Sequence, residues 1–381
     1  MTQQSKLRII NIVGARPNFM KIAPLMAEYQ EYPEIEALLV HTGQHYDERM
    51  SRLFFDELEI PRPDINLGVG SASQARQTAE IIQRFEPVVL EYLPDIVLVV
   101  GDVNSTIACA LVAVKLGVKV AHVEAGLRSF DRKMPEEINR LLTDAISDFL
   151  FVSEPSGLEN LRREGIPEEK IFLVGNVMID TLRRNLAKAE ESRILEDLGL
   201  SEEGYGIITL HRPANVDDPM ILEKFLQVFH AIGDQMPVIF PVHPRTRATM
   251  AKCDNFANIT EIDGPMALGS RKGVFITEPL GYLDFLKLMA HARIVLTDSG
   301  GIQEETTILK VPCLTLRENT ERPITVEIGS NAIAGTDPEA IFKAFQQAMS
   351  DKKKQSKIPE LWDGYAASRI VKILIDSYKN Y

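Results

Sequence analysis

Short apolar runs alternate with amphipathic stretches along almost the whole chain. The runs are rich in aliphatic and β-branched residues, and the stretches between them have helical periodicity. Continuous apolar strands separated by helices are typical of parallel sheets that are covered on both faces. The predicted strands are residues 7–13, 36–42, 95–100, 119–124, 148–153, 171–176, 206–210, 237–242, 274–279, 293–298 and 312–316.

The strand pattern pauses after residues 171–176 and then begins again, which predicts two domains. A chain of 381 residues is long enough for two α/β domains of ordinary size. We expect an N-terminal Rossmann-like, doubly wound domain in residues 1–172 and a second in residues 173–362. A last helix occupies residues 363–381, and the Gly-containing residues 254–273 predict a surface loop.

The composition excludes several classes of partner. The formal net charge is −12, because 54 acidic residues outnumber 42 Lys and Arg, and this disfavours nucleic acid and anionic membranes. No apolar run is long enough to span a bilayer, and no signal-peptide core precedes the first strand. We therefore expect a cytoplasmic protein, in which Cys109, Cys253 and Cys313 are reduced structural residues without a C-x-x-C pair.

In open parallel sheets, ligands bind beyond the carboxyl ends of the strands, so residues that follow strands are the candidates for chemistry. Arg16 and Lys21 follow the first strand and could reach a phosphate, although a solvated basic pair is the alternative. The single Gly14 is not the dinucleotide fingerprint G-x-G-x-x-G. This argues against a bound nicotinamide, and we expect no cofactor.

Acidic residues follow the next strands of the first half. Asp102 comes after residues 95–100, and His122 and Glu124 would share one face of a regular strand. Buried carboxylates are costly unless they are used, so these acids are candidates for catalysis. A metal site made of these three side chains is an alternative, but a hydrogen-bonded core His122 is favoured and no metal is expected.

A helix begins at Pro135, with acids in its first turn. Glu136 and Arg140 are spaced i, i+4 and share a face of this helix. One interpretation is a surface salt bridge between them. The other places Glu136 at the mouth of a ligand cleft.

The second half carries the features of an anion site. Two separate strands are followed by a histidine and an arginine close in sequence, His211 with Arg212 and His243 with Arg245. The turn Ser299-Gly300-Gly301 leads from a strand into a helix, whose free N–H groups and dipole favour a phosphate. The GK[ST] element of a P-loop is absent.

Three more side chains complete this candidate site. Glu305, about one turn into the helix, could accept hydrogen bonds from a ribose diol, and Arg322 could neutralise a diphosphate. Phe285 is a core residue or a base-stacking one.

The motifs after these strands, in order along residues 14 to about 325, resemble those of the non-hydrolysing UDP-N-acetylglucosamine 2-epimerases. They are GARPNFMK, GQHYD, GDVNST, HVEAGLRS, MPEEINR, GN-x-x-ID, LHRPAN, PVHPRT, LTDSGGIQEE and TERP. The resemblance implies a GT-B-like α/β architecture of two Rossmann-like domains, with the ligand in the interdomain cleft. It also implies that the last helix packs back on the first domain and that the enzyme is a homodimer.

The resemblance assigns roles to individual residues. UDP would lie mainly on the second domain, with its diphosphate held by Arg16, Ser299, Gly300 and Gly301, its ribose by Glu305 and its uracil by Phe285. The catalytic groups around the sugar would be Asp102, Glu124, Glu136 and His211, steadied by Arg140 and Arg322. A regulatory UDP-GlcNAc site would carry over to Gln44 and His45.

The family reaction is the reversible inversion of carbon 2, which makes UDP-N-acetylmannosamine for polysaccharide precursors. UDP is eliminated to leave 2-acetamidoglucal, and UDP then adds back with a proton delivered to the opposite face. The two proton transfers need two acid/base groups, and the leaving diphosphate needs fixed positive charge.

Other functions stay open at this point. The segments SFDRKMPEE and HPRT are shared with 2-epimerases that act on UDP-2,3-diacetamido-2,3-dideoxy-glucuronate. A hydrolysing 2-epimerase would release N-acetylmannosamine and UDP. A glycosyltransferase of the same architecture would need an acceptor, and a non-catalytic nucleotide-sugar sensor would bind without turnover.

Overall fold

The protein is described by a computed structural model that covers residues 6–43, 57–262, 264, 267–269, 271–350 and 356–379. The chain divides into two compact units. Unit 1 comprises Met1–Arg184 and Glu360–Tyr381, and unit 2 comprises Asn185–Pro359. Each unit is built around its own sheet, which confirms the predicted two-domain α/β fold.

In the described part of unit 1, seven parallel strands form one sheet in the order β3-β2-β1-β4-β5-β6-β7. The strands are β1 (Leu7–Val13), β2 (Ile35–His41), β3 (Ile65–Asn66), β4 (Ile96–Val100), β5 (Lys119–Ala125), β6 (Phe149–Val152) and β7 (Ile171–Leu173). The α-helices are α1 (Arg16–Tyr29), α2 (Gln74–Tyr92), α3 (Asn104–Lys115), α4 (Pro135–Ile146), α5 (Pro155–Arg163), α6 (Val177–Ala189), which continues into unit 2, and α15 (Ala366–Lys379).

The described part of unit 2 repeats this plan with the order β10-β11-β9-β8-β12-β13-β14. The strands are β8 (Gly206–Thr209), β9 (Pro237–Pro241), β10 (Thr260–Glu261), β11 (Gly273–Thr277), β12 (Ile294–Thr297), β13 (Cys313–Thr315) and β14 (Asn331–Ile333). The helices are α7 (Ile194–Leu198), α8 (Pro213–Val216), α9 (Pro219–Gly233), α10 (Pro244–Met250), α11 (Tyr282–Ala290), α12 (Gly300–Leu309), α13 (Pro323–Glu327) and α14 (Pro338–Ser350).

The apolar runs become the cores of the two sheets. All of β4 and all of β12 are buried, as expected for strands covered on both faces. Helices α2 and α3 cover one side of the first sheet, with Ile81, Phe85 and Val89 packed against it. The sheet of unit 2 has an equivalent core, in which Phe225 stacks on Phe229 and Phe229 meets Phe240 edge to face.

Both sheets have a topological switch point, where consecutive connections run to opposite faces. In unit 1 it lies between β1 and β4, and in unit 2 it lies between β8 and β12. The strand ends diverge there, so ligands in doubly wound folds bind at this point. The residues that follow these four strands are therefore the candidates for ligand binding.

The division between the units falls after Arg184, whereas the sequence predicted it after residue 172. The reason is helix α6, whose first half is bound to unit 1. Asp180 on α6 accepts hydrogen bonds from the backbone N–H groups of Ala366 at 3.1 Å and Ala367 at 2.7 Å, and so caps α15. Hydrophobic periodicity predicts that a helix forms, but not which sheet it packs against.

The C-terminal segment is part of unit 1. The indole N–H of buried Trp362 donates to the Ser153 carbonyl at 2.9 Å, and α15 packs on α1. The region predicted as a surface loop, residues 254–273, is more regular than expected. It contains a 3-10 helix, Asp254–Asn258, and the short strand β10. Among the described residues, no helix is long and apolar enough to cross a membrane.

Gly126→Ala is expected to destabilise unit 1 much more than Gly165→Ala. Both glycines have a φ of +80°, so both changes incur the left-handed strain of about 1–2 kcal/mol. A Cβ on Gly126 would also lie 2.4 Å from the Gly157 carbonyl oxygen, whereas one on Gly165 would meet nothing within 4 Å. Overpacking of this kind costs a further ~1–3 kcal/mol.

Urea denaturation followed by the fluorescence of Trp362 measures this difference, because Trp362 is the single tryptophan and lies in unit 1. The wild-type chain is the reference for both variants. Equal free energies of unfolding for the two variants would contradict the close backbone contact at Gly126.

Candidate active site

The loop after β1 is fixed by Asn18, a residue that the sequence did not single out. Its Oδ1 accepts hydrogen bonds from the N–H groups of Gly14 at 3.1 Å and Ala15 at 2.8 Å. Its Nδ2 donates to the carbonyl of Val100 at 3.2 Å. One buried amide thus joins the ends of β1 and β4 across the switch point of unit 1.

Glu124 lies near the end of β5 in an unusual backbone conformation. Its φ is +70°, and the register with β6 shifts between Val123 and Ala125, which marks a β-bulge. A left-handed conformation at a non-glycine residue costs about 1–3 kcal/mol and is often found at functional sites. The bulge interrupts the regular alternation of the strand, so the condition under which Glu124 and His122 would share a face is not met.

The carboxylate of Glu124 pairs with Lys21 on α1. Both side chains are buried, at 3% and 9% exposed. Gly101, at the end of β4, leaves room for them, since a Cβ there would lie 3.0 Å from Lys21 Nζ and 3.7 Å from Glu124 Oε2. The structure therefore places Lys21 in an ion pair with a candidate catalytic acid.

His122 is buried beneath this pair and has hydrogen bonds at both ring nitrogens. Nδ1 lies 2.6 Å from Asp144 Oδ1, and Nε2 lies 2.8 Å from the carbonyl oxygen of Gly101. Burial opposes the charge on Asp144, but the contacts with His122 and Arg128 hold its pKa below the usual range. His122 is thus a core residue that supports the Gly101 turn.

A metal ligand set of Asp102, His122 and Glu124 does not fit this geometry, because both nitrogens of His122 already face protein acceptors. Within the described part of the chain, no group of three or more His, Cys, Asp or Glu residues is arranged to hold a metal ion.

Asp102, directly after β4, is paired with Arg140 of α4. The Asp102 side chain is 30% exposed, whereas that of Arg140 is almost fully buried. Arg140 also contacts Glu137 Oε2 through Nη2 at 2.7 Å. Of the two interpretations of Glu136, the surface salt bridge with Arg140 is not the one formed, because Arg140 binds Glu137 at i−3 and Asp102. Among the described residues, Glu136 forms no ion pair.

Glu137 is a site residue that sequence reasoning missed. Its carboxylate accepts hydrogen bonds from the N–H groups of Ser129 and Phe130, both at 2.9 Å, and from the hydroxyl of Ser129 at 3.0 Å. Burial opposes its charge, but these bonds and Arg140 hold its pKa below the usual range. Glu137 thus fastens the loop after β5 to α4, while the partly exposed Glu136 precedes it in the same helical turn.

In unit 2 the switch point is joined by Asp298, the residue directly after β12. Its buried carboxylate accepts hydrogen bonds from the N–H groups of His211 at 3.1 Å and Arg212 at 3.0 Å, and from Asn215 Nδ2 at 3.0 Å. His211 Nδ1 lies 2.8 Å from Asp298 Oδ1, and the His211 side chain is 61% exposed. Burial opposes ionisation, but these contacts hold the pKa of Asp298 below the usual range.

The turn Ser299-Gly300-Gly301 opens helix α12. Ser299 is the N-cap residue, and its side chain makes no capping hydrogen bond. The guanidinium of Arg322 lies against Gly300, because a Cβ there would be 3.0 Å from Arg322 Cζ. A helix N-terminus beside a guanidinium is suited to bind a phosphate, since N–H groups, dipole and full charge act together.

Arg322 is held in place by a buried carboxylate. It is buried, and its Nε donates to Glu304 Oε1 at 2.7 Å. Glu321 receives two hydrogen bonds from Arg317, at 2.8 and 2.6 Å. Burial opposes its charge, but the arginines hold the pKa of Glu321 far below the usual range. Three arginines, including Arg212, therefore meet two buried carboxylates near this helix end.

Glu305 is buried on α12 and accepts a hydrogen bond from the hydroxyl of Tyr282 at 3.0 Å. Burial, with a smaller contribution from the neighbouring Glu304, raises its pKa to about 8, although the hydrogen bond from Tyr282 lowers it. Phe285, one turn along α11 from Tyr282, is only partly buried. It is therefore not a member of the closed core.

His243 is exposed and is the N-cap of α10, where its Nδ1 accepts from the Arg245 N–H at 3.2 Å. Arg245 pairs with Asp217 at 2.6 Å. The remaining predicted residues cannot be placed in full. Gln44 and His45 lie outside the described residues, as does the side chain of Arg16, the first residue of α1.

Known proteins resemble the chain over nearly its whole length. A family model described as UDP-N-acetylglucosamine 2-epimerase matches residues 27–375. A UDP-N-acetylglucosamine 2-epimerase of Methanocaldococcus jannaschii is 43% identical over 97% of this chain and 99% of the relative. A UDP-2,3-diacetamido-2,3-dideoxy-D-glucuronate 2-epimerase of Pseudomonas aeruginosa is 38% identical over 97% of this chain and 99% of that protein.

A solved structure supports the same relationship. The crystal structure of the M. jannaschii UDP-GlcNAc 2-epimerase, in complex with UDP-GlcNAc and UDP, superposes with a TM-score of 0.87 at 43% identity. The match covers 97% of this chain and 99% of that one. The family resemblance inferred from the motifs is thereby confirmed.

Glu137→Gln is expected to lower the free energy of unfolding at pH 7 by about 2 kcal/mol or more. It removes the buried negative charge that pairs with Arg140 and accepts hydrogen bonds from two backbone N–H groups. Glu136→Gln is the matched control one residue away and is expected to change it by less than about 0.5 kcal/mol. Denaturation followed by Trp362 fluorescence compares the two. The assignment of Glu137 as the structural acid fails if both variants are equally stable.

Proposed function

The chain belongs to the UDP-N-acetylglucosamine 2-epimerase family, and from that premise we propose that it interconverts UDP-N-acetylglucosamine and UDP-N-acetylmannosamine by inverting carbon 2. In the first half-reaction a proton leaves carbon 2 and the bond between carbon 1 and the UDP oxygen breaks. The products are 2-acetamidoglucal and UDP. In the second half-reaction the UDP oxygen adds back to carbon 1, and a proton reaches carbon 2 from the opposite face.

Unit 2 is the proposed binding unit for UDP. The free N–H groups at the start of α12 and the buried guanidinium of Arg322 would hold the diphosphate, next to Ser299. The guanidinium is preorganised, since Glu304 already holds Arg322 in place. Fixed positive charge at the leaving group lowers the barrier for breaking the anomeric bond. Glu305 would hold the ribose and Phe285 the uracil.

Unit 1 is the proposed source of acid/base groups. Asp102, Glu124 and Glu136 belong to the carboxyl ends of β4 and β5 and the start of α4, and Arg140 pairs with the first of them. His211 of unit 2 is the fourth proposed group. Two of these four would exchange protons with carbon 2, because the two half-reactions use opposite faces.

The observation that carries the proposal is the buried Glu124 carboxylate. It is turned by a β-bulge with a φ of +70° and paired with buried Lys21. A protein that only senses an anionic nucleotide sugar has no need for a buried carboxylate on a strained backbone, because both the burial and the strain cost free energy. A general base, in contrast, needs an ionised carboxylate, because only that form can accept a proton.

The proposal has wider parts that follow from the family. They are a regulatory UDP-GlcNAc site at Gln44 and His45, assembly as a homodimer, a cytoplasmic location and a role in making polysaccharide precursors. Analytical ultracentrifugation of the full chain tests the dimer directly.

A second sugar nucleotide is a candidate substrate for the same reaction. The P. aeruginosa relative acts, by its name, on UDP-2,3-diacetamido-2,3-dideoxy-D-glucuronate. The segments SFDRKMPEE and HPRT of this chain resemble those of 2-epimerases that act on that sugar. The two substrates differ at carbons 3 and 6, so the chemistry at carbon 2 is the same for both.

Incubation with UDP-GlcNAc in heavy water is expected to give UDP-N-acetylmannosamine with deuterium at carbon 2. Proton NMR measures both the product and the loss of the carbon-2 proton signal. The diacetamido uronate is run in parallel to decide the substrate. Free N-acetylmannosamine as the main product would indicate a hydrolysing enzyme instead. If neither sugar nucleotide takes up deuterium, the proposed reaction is excluded.

Glu124→Gln is expected to lower the rate of epimerisation by about 100-fold to 10,000-fold, because it removes a general base. UDP affinity, measured by calorimetry, should stay within about threefold, since UDP is held by unit 2. Glu164→Gln is the matched control, because it breaks another ion pair of unit 1, with Arg128. Normal turnover in Glu124→Gln would remove this residue from the mechanism.

UDP-GlcNAc is expected to bind more tightly as the pH rises. The pKa of Glu305 is about 8 in the free protein, so this carboxyl is mostly protonated at pH 7. The ribose hydroxyls donate to the carboxylate, so binding releases a proton and the affinity rises about tenfold from pH 7 to pH 9. Calorimetry with the Glu124→Gln variant, which should not convert the ligand, measures this dependence. Glu305→Gln should abolish it, and an unchanged pH dependence in that variant would exclude Glu305.

A further inference from the structure

Asp298 has no role in the function proposed so far, although it contacts one of the proposed catalytic groups. It is fully buried, and it is the first residue after β12. Its carboxylate binds the backbone N–H groups of His211 and Arg212, the side chain of Asn215 and the imidazole of His211. All of these groups belong to unit 2.

The contact with His211 fixes which ring nitrogen carries a proton. An ionised carboxylate is only an acceptor, so Nδ1 of His211, 2.8 Å away, must donate to it. In the neutral imidazole the lone pair then lies on Nε2, at the far side of the ring. The backbone N–H of His211 bonds to the same carboxylate, at 3.1 Å, so the residue is held at two points.

The charge of Asp298 is not needed for its structural contacts. An asparagine oxygen could accept from the N–H groups of His211 and Arg212, and it would avoid the cost of burying a charge. Arg212 donates through Nε to the backbone carbonyl of Asp298, at 3.1 Å. The imidazole of His211 is an ionisable side chain within salt-bridge distance of that carboxylate.

We propose that Asp298 is the positioning residue of His211, which holds the ring with Nδ1 protonated and presents Nε2 as the atom that takes up or delivers the proton. This inference rests on the proposed function of His211 at the sugar. The carboxylate also stabilises the imidazolium that forms when Nε2 accepts a proton. A half-exposed imidazole thereby has one orientation and one tautomer, as the histidine of a Ser-His-Asp triad does.

Asp298→Asn is the first test, because it keeps the size and the acceptor oxygen but removes the charge. We expect kcat to fall at least 100-fold while KM and the Kd for UDP stay within about threefold. The change removes the correct tautomer rather than a binding contact, and tautomer loss in a triad has an effect of this order or larger. Asn215→Ala is the matched control, since it removes another hydrogen bond to the same carboxylate and should leave kcat within about threefold.

A double-mutant cycle separates positioning from general structural support. If Asp298 acts through His211, Asp298→Asn should have no further effect on kcat in a His211→Asn background. Multiplicative losses in the double variant would overturn the inference.

The tautomer can be measured without turnover. Nitrogen-15 NMR of the histidine rings, with His211 assigned by comparison with His211→Asn, should show protonated Nδ1 in the neutral wild-type ring and protonated Nε2 in Asp298→Asn. A neutral wild-type ring protonated at Nε2 would overturn the inference even if the variant fails to fold. If the wild-type protein shows no deuterium exchange at carbon 2, the proposed function fails, whereas the NMR result still decides whether Asp298 sets the tautomer.

Discussion

The switch point of each sheet imposes the constraint on which the rest of the structure depends. Two neighbouring parallel strands separate there, and their carboxyl ends leave backbone N–H and carbonyl groups without a ladder partner. Each unit meets this constraint with one buried polar side chain. Asn18 joins the ends of β1 and β4, and Asp298 joins the segments after β8 and β12. Lys21, Asn18 and Glu124 all surround Gly101, and Ser299 directly follows Asp298.

Buried charge is the second feature that the two units share. Lys21 with Glu124, Arg140 with Glu137, and Arg322 with Glu304 are all nearly inaccessible to water. Burying such ions is costly, and their attraction repays the cost only when geometry and hydrogen bonding are complete. The pairs therefore contribute little to stability in themselves. In the proposed mechanism their role is preorganisation, because a charge that is already oriented needs no rearrangement when the reaction develops charge.

The two units divide the proposed chemistry although their topologies are nearly the same. Unit 1 carries carboxylates after its strands, whereas unit 2 carries a Gly-Gly helix start with arginines. The chain also returns to unit 1 at its end, where Asp180 caps α15 and Trp362 binds the Ser153 carbonyl. Burial raises the pKa of Asp180 to about 6, despite the N–H groups of Ala366 and Ala367. The cap is thus one more place where the fold holds a carboxyl group away from water.

The amino-acid sequence by itself determined eleven strands, the two parallel sheets, the Ser-Gly-Gly helix start and the family, whereas the short strands β3, β10 and β14 were not predicted. Each of these depends on local periodicity, on local turn chemistry or on motifs in one order, all of which can be seen along the chain. The tertiary structure alone decided which acid binds Arg140, how the bulge turns Glu124, and that Asp298 bonds to His211. It also decided that α6 caps α15. These outcomes depend on contacts between residues far apart in sequence and on burial, which makes one of two neighbouring carboxylates, Glu137 rather than Glu136, the partner of a buried charge.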